Sequence, residues 1–235
     1  MQSQNTAGNY HFLGAEGRPF SNGAAADPGF DLVHATFERP LPLDRGLEAA
    51  ARHLDKASRP VQSITGFELR IPEPFDSRRF EEFNHGYVER LTSMGLVVNG
   101  LLPAARTNVA AAVSGVSEPS VFAMTYTTPG DRDRKAFVMS GVPEEKPGDI
   151  ESMLASMMRV LSERMAELGV SWEDATRIQI YGVDEVQGRL VDGVLRQLGP
   201  AAIHGIHWFP SLPPIEGLAL EIDVRSAGTE LVLRA

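Results

Sequence analysis

An α+β fold in two successive halves is predicted by three features of this chain. Short apolar runs recur in one order, hairpin, helix, strand, helix, strand, strand. That order occurs twice, its corresponding elements separated by roughly 110 residues. Strands able to pair antiparallel, with helices gathered on one face, give each half a mixed sheet carrying two helices. The 235 residues divide into an N-terminal arm (1–17), a first unit (18–128) and a second unit (129–235), each unit within the usual domain size.

Residues 1–17 are polar and Gly-rich, which predicts a flexible arm. Two apolar runs, 18–26 and 30–37, flank Asp27-Pro28-Gly29 and read as a hairpin. Leu47, Ala50, Ala51 and Leu54 recur at helical spacing from Asp44 to Lys56. Gln62 to Ile71 alternates as a half-buried strand. Asp76 or Ser77 can cap a second helix whose stripe is Phe80, Phe83, Tyr87 and Leu91. Strands follow at Arg106 and at Val121–Thr127.

In the second half Ala136–Val142 reads as a strand, and Gly148-Asp149 opens a long helix. Its Met153, Leu154, Met157, Leu161, Met165 and Leu168 lie on one side as core filler. Ser171 with Asp174 forms a short cap before the strand Arg177–Tyr181. Val186–Leu198 reads as the second helix, and Ile203–Phe209 and Leu218–Val224 as the closing strands.

Composition narrows the function classes. The net charge of -9 is shared as -3 over residues 1–128 and -6 over 129–235, so neither half offers the basic face that phosphate contacts require. Nucleic-acid binding is not expected. No apolar run approaches the roughly 20 residues that span a bilayer, and Met1-Gln2-Ser3-Gln4-Asn5 lacks a signal region. No membrane association is expected. With no cysteine there is no thiolate nucleophile or disulfide framework, and a cytoplasmic location is expected. The phosphate-cradling Gly loop, the Gly-x-Ser-x-Gly elbow and the His-Glu-x-x-His zinc motif are all missing.

The stretch Pro103-Ala104-Ala105-Arg106-Thr107-Asn108-Val109 carries the strongest chemical signal. A guanidinium where a loop enters a strand presents a planar fork that matches a carboxylate. Such an arginine can equally be a surface residue paired with a glutamate. The segment resembles the Pro-Ala-Arg-Thr-x-Val signature of the RidA/YjgF family, in which the arginine binds the carboxylate of an imino or enamino acid. Arg18-Pro19-Phe20-Ser21 through Val33 is similar to the family's first hairpin, with Phe20 where Tyr is usual. Phe83-Asn84-x-x-Tyr87 is similar to the family helix whose Asn lines the cleft.

The resemblance continues in the second half. Phe137 to Pro143 is close to the family strand that ends in Ser-Gly, here Ser140-Gly141, and Glu221-Ile222-Asp223 resembles the final Glu-Ile-Glu. Each half also departs from the pattern. Thr36-Phe37-Glu38 replaces the first Ser-Gly-Gln, Asn108 stands where Cys is commonest, and Val121–Thr127 has no acid. His204 occupies the place of the second arginine, and the loop Pro213–Leu218 is slightly long.

The resemblance implies two tandem RidA/YjgF-like (chorismate mutase-like) units and hydrolytic deamination of a small carboxylate-bearing imine or enamine. It implies Arg106, Asn84, Phe20, Thr36, Asn108, Ser140 and Gly141 as substrate-binding residues, with Glu221 or His204 for proton transfer. It implies a small anionic metabolite as ligand, neither metal nor cofactor, and a homo-oligomer, the family being trimeric. The residues on their own leave dull readings open. Glu221 and Asp223 share a strand face that could be a solvated acidic surface, and His204 could be a hydrogen-bonded, partly buried side chain. His204 and His207, three apart in a strand, would face opposite sides, against a shared metal. A non-catalytic acid-binding or assembly module and a chorismatase-like hydrolase are the alternative functions.

Overall fold

Alternate residues of one strand sort into two environments, and this division organises the molecule. In β11 (Leu220–Ser226), Leu220, Ile222 and Val224 enter one apolar core, while Glu221, Asp223 and Arg225 are equally buried on the opposite face. β5 (Ile64–Ile71) does the same, with Phe67 and Leu69 in a second apolar core and Glu68 on the other side. Such period-2 alternation places one face of each strand under helices and the other against a second layer of strands.

The computed structural model describes residues 1–14, 17–113, 115–141 and 149–234. It is a mixed α and β architecture with one twelve-stranded mixed sheet in the order β1-β2-β3-β8-β11-β9-β10-β6-β5-β7-β4-β12. The remaining strands are β1 (Gln2–Asn5), β2 (Tyr10–Leu13), β3 (Ala24–Ala26), β4 (Phe30–Pro42), β6 (Ala105–Ala111), β7 (Ser120–Pro129), β8 (Phe137–Gly141), β9 (Arg177–Gly182), β10 (His207–Leu212) and β12 (Thr229–Leu233). β5 lies between parallel β6 and antiparallel β7, and β7 also pairs β4. β9 lies between parallel β10 and antiparallel β11, and β11 also pairs β8.

Helices α1 (Leu43–Lys56) and α2 (Ser77–Ser93) cover β4, β5 and β7. The Asp76 carboxylate caps α2 by accepting from the Arg79 N–H at 2.8 Å. Helix α3 (Ile150–Leu168), capped by Asp149, buries Met153, Leu154, Met157, Met158, Leu161, Met165 and Leu168 over β8, β9 and β11. Each fully buried side chain of this size contributes about 1.5–3 kcal/mol. Ser171 and Asp174 form a capping box before β9.

Several sequence expectations are corrected. The segment expected as a flexible arm contains the antiparallel pair β1–β2, because Tyr10, Phe12 and Leu13 are buried. Tyr10 Oη also donates to the Ile64 carbonyl at 2.7 Å. The run ending at Ala26 is no hairpin partner of β4, for β3 pairs β2 and β8. The helix expected over 186–198 is broken into α4 (Asp184–Gln187), α5 (Leu190–Gly193) and short 3-10 turns, as glycines at 188 and 193 interrupt the helical run. β10 begins only at His207, and His204 ends a 3-10 turn rather than lying in a strand. β12 went unanticipated. Val142, Pro143 and Gly148 lie outside the described residues.

Strands β6 and β10 pair antiparallel only through Ala110–Leu212 and Ala111–Ser211. Before those pairs the edge of β6 is met by side chains from β8 and β11, and there a cavity opens.

Candidate active site

Arg106 and Asn108 lie two apart on β6, so their side chains share a face. Arg106 is only 5% exposed. Its guanidinium carbon is 4.7 Å from the Phe20 ring centroid, 4.9 Å from Tyr87, 5.6 Å from Phe83 and 5.7 Å from Phe80. The aromatic stripe of α2 therefore supplies three walls of a cation–π cage. Segment 18–22 supplies the fourth, tied down where Ser21 N–H donates to the Ala104 carbonyl at 3.0 Å.

Within this cage Nε and Nη1 of Arg106 are buried without a hydrogen-bond partner. Burial pulls the guanidinium down to about 10, a shift that Tyr87 and Glu221 oppose. It stays cationic at neutral pH. A buried cation with unsatisfied donors is costly, so the arrangement is one that an anionic ligand would complete.

Glu221 reaches the same cavity from β11 and is 2% exposed. Its Oε1 accepts from the Asn108 main-chain N–H at 3.2 Å and lies 3.2 Å from Ser140 Oγ, while Oε2 is buried without a partner. Burial pushes its pKa up to about 8, against the opposing effects of the Asn108 bond, Arg106 and Ser140. Ser140 has one hydroxyl proton, and Oγ donates to the Arg106 carbonyl at 2.8 Å. The same hydroxyl is the donor toward Glu221 Oε1, so its one proton is shared between the carbonyl and the carboxyl.

The cavity has a volume of about 240 Å³ and is lined by Arg18, Phe20, Asn22, Phe80, Arg106, Asn108, Ser140, Gly141, Arg164, Pro214, Ile215 and Glu221. Both polar atoms of the Asn108 amide are buried and unpartnered, as are Asn84 Oδ1 and Tyr87 Oη. The loop before β11 closes one wall, held where Phe75 N–H donates to the Pro214 carbonyl at 2.8 Å and Glu216 N–H to the Phe75 carbonyl at 3.1 Å. A roomier cavity of about 460 Å³ lies at the turn before β4. Several of its charged groups are engaged, Arg132 with Asp31, His11 with Asp27 and Arg134 with His204. The smaller cavity holds the buried, unpartnered atoms of Arg106, Asn108 and Glu221.

Thus six of the residues expected from sequence, Phe20, Arg106, Asn108, Ser140, Gly141 and Glu221, line one space. Three others do not line it, the first being Asn84 on α2, whose Oδ1 is buried without a partner. Thr36 is on β4, its Oγ1 3.4 Å from His34 Nε2. His204 is exposed, and Arg134 Nη1 lies 2.9 Å from its Nε2. An acidic solvated face at Glu221 and Asp223 is also corrected, because the second layer of strands covers both. Phe80, Arg18 and Arg164 were not anticipated as lining residues. The position of Arg18, two before Phe20, was the signal for it.

Behind the cavity charged side chains cross between the two strand layers, in addition to an apolar cluster that includes Leu32, Ala105 and Val138. Asp223 Oδ2 accepts from Thr107 Oγ1 at 2.8 Å, and Arg225 Nη1 lies 3.4 Å from Asp223 Oδ1 and 3.3 Å from Glu68 Oε1. Tyr181 Oη donates to Glu68 Oε2 at 3.1 Å. Burial would raise the Glu68 carboxyl, but His34, Arg225, Arg70 and the Tyr181 bond hold it at about 2. Burial and Arg225 pull His34 down to about 4, so it is neutral at pH 7 and the arginines balance the acids. Among the described residues no group of three or more His, Cys, Asp or Glu is arranged to hold a metal ion. No helix among them is long and apolar enough to cross a membrane.

Comparison with known proteins sets this geometry in context. A family profile described as "2-aminomuconate deaminase CnbZ" matches residues 2–231. A 2-amino-5-chloromuconate deaminase of Comamonas testosteroni is 34% identical over 245 residues, covering 96% of each chain. A chorismatase crystal structure aligns over 88% of this chain and 77% of its own at 15% identity, with a TM-score of 0.50, a likeness of fold. Rv2704 of Mycobacterium tuberculosis, a member of the YjgF/YER057c/UK114 family, aligns over 41% of this chain and 81% of its own at 17% identity, with a TM-score of 0.31.

Proposed function

Because the chain belongs to the 2-aminomuconate deaminase CnbZ family, we propose that it hydrolyses the C–N bond of a 2-aminomuconate-type enamine, releasing ammonia and a 2-oxo acid. The observation that carries this reading is the coexistence, in one cavity, of an unpartnered buried guanidinium at Arg106 and an unpartnered buried carboxyl oxygen at Glu221.

The Arg106 fork holds the carboxylate next to the reacting carbon. Glu221, protonated at neutral pH, delivers its proton to the enamine carbon remote from nitrogen, which converts C=C–N into an electrophilic iminium. The resulting carboxylate accepts a proton from water as the water oxygen bonds to the iminium carbon. Collapse of that carbinolamine expels ammonia and leaves the keto group. The Asn108 amide, on the same strand face as Arg106, hydrogen-bonds the departing nitrogen. Little more apparatus is needed, since an iminium is already electrophilic and positioning supplies much of the rate.

Strand pairing supports the finer expectation of two tandem RidA-like units over 18–128 and 129–235, β4-β7-β5-β6 and β8-β11-β9-β10 having matching connections. On that reading the first unit contributes Arg106 and Asn108, the second Ser140 and Glu221, and the cavity lies between them. The test is ammonia release from 2-aminomuconate generated in situ. Release by the wild-type protein that disappears in Arg106→Ala supports the reading, and equal rates in the two proteins exclude it.

A further inference from the structure

We propose that Arg18 forms a second anion subsite at the rim of this cavity, which selects substrates bearing a remote carboxylate over those with one carboxylate. The inference rests on the reading that Arg106 holds the first.

Two arginines that line the cavity, Arg106 and Arg18, form no salt bridge with a described acid, and burial keeps the one described acid of the lining, Glu221, protonated at neutral pH. A local excess of cation in a chain of net charge -9 is a feature of this site, and it favours a dianion over a monoanion.

The backbone fixes where the rim cation stands. Ser21 N–H is bonded to the Ala104 carbonyl at 3.0 Å and Asn22 N–H to the Leu13 carbonyl at 2.8 Å, which seats Phe20 over the Arg106 guanidinium. Arg18 is two residues earlier, so its Cα is at most about 7 Å from that of Phe20. It is exposed on the solvent side of the cavity, while Arg106 is buried at the inner end. Its Nη1 donates to Asn22 Oδ1 at 3.5 Å, and no described carboxylate forms a salt bridge with it. Most of its donors are therefore available to a ligand. A six-carbon dienedioate with one end on Arg106 directs its other carboxylate toward this rim, whereas a monocarboxylate of the same length would present a methyl group there.

The test uses two unreactive probes of equal carbon number, 2,4-hexadienedioate (muconate) and 2,4-hexadienoate (sorbate), with calorimetric titration of the full chain. The wild-type protein is expected to bind muconate at least about 10-fold more tightly than sorbate, the value of one charge-assisted contact. Arg18→Gln should reduce that preference to below about 3-fold and leave sorbate affinity unchanged, and Arg18→Lys should keep most of it. A wild-type protein without preference, or an Arg18→Gln protein with the full preference, overturns the subsite and leaves the Arg106 reading standing. Arg106→Ala, expected to weaken both probes alike, separates the two claims. If it binds both as the wild-type protein does, the Arg106 reading fails. Because Arg18 is exposed, its variants should keep the wild-type circular dichroism spectrum.

Discussion

Glu221 on β11 accepts a hydrogen bond from the main-chain N–H of Asn108 on β6 at 3.2 Å. A side chain thus takes the place that a neighbouring strand would fill, because β6 and β10 pair only through Ala110–Leu212 and Ala111–Ser211, which leaves the edge at Asn108 without a strand partner on that side. The unpaired strand edge and the buried acid satisfy one another, and the acid's second oxygen is left facing the cavity.

Replacing Glu221 by Gln preserves an acceptor for Asn108 and removes the transferable proton. Ammonia release at saturating substrate should fall about 10²–10⁴-fold, the range for loss of general acid–base catalysis. The KM should change little. A fall in kcat of less than about threefold in steady-state assays would remove Glu221 from the chemistry.

The pH dependence follows from the same group. Activity that requires protonated Glu221 should be level below its folded value of about 8 and decline above it. Stability moves in the matching direction. The folded pKa lies above the ordinary 4.5, so the stability this proton contributes is complete below about pH 4.5 and is lost as pH rises to about 8. Urea unfolding at pH 5 and pH 8.5 should show Glu221→Gln gaining on the wild-type protein at the higher pH. A constant difference between the two proteins would contradict the raised value.

Arg106 is kept at a cost to the folded state, being buried with unpartnered donors. Arg106→Met, close in length and apolar, should unfold at higher denaturant concentration, by about 1–3 kcal/mol, while losing activity. Chemical denaturation and ammonia release on the same sample check both halves. A destabilised Met variant would mean that the cation is already satisfied.

Arg225 joins Glu68 and Asp223 across the two strand layers. Arg225→Met should destabilise by about 3–5 kcal/mol, since it strands two buried acids. The double variant with Glu68→Gln should recover part of that loss, and a double-mutant cycle without coupling would refute the clamp.

His204→Ala should leave the rate–pH profile within about twofold of wild type, as surface changes away from a site do little. A lost limb near neutrality would return this histidine to the mechanism.

The sequence by itself determined the elements with strong local signals and the residue types of the site. The Met/Leu stripe gave α3 and the Asp76 cap and aromatic stripe gave α2, whereas β5, read as half-buried, is buried on both faces. The motif around Arg106 and the Glu221-Ile222-Asp223 run named the two groups that now share a cavity. Only the tertiary structure decided that they do. They are 115 positions apart in the chain, and no local spacing encodes the splaying of β6 from β10 that brings them together. The same limit explains the errors. Alternating acids on β11 look like a wet face until a second layer covers them, and a histidine in a motif position has no chemistry until packing places it. Propensity is a property of neighbours along the chain, whereas burial, which sets the charge of Glu221 and leaves Arg106 wanting an anion, is a property of neighbours in space.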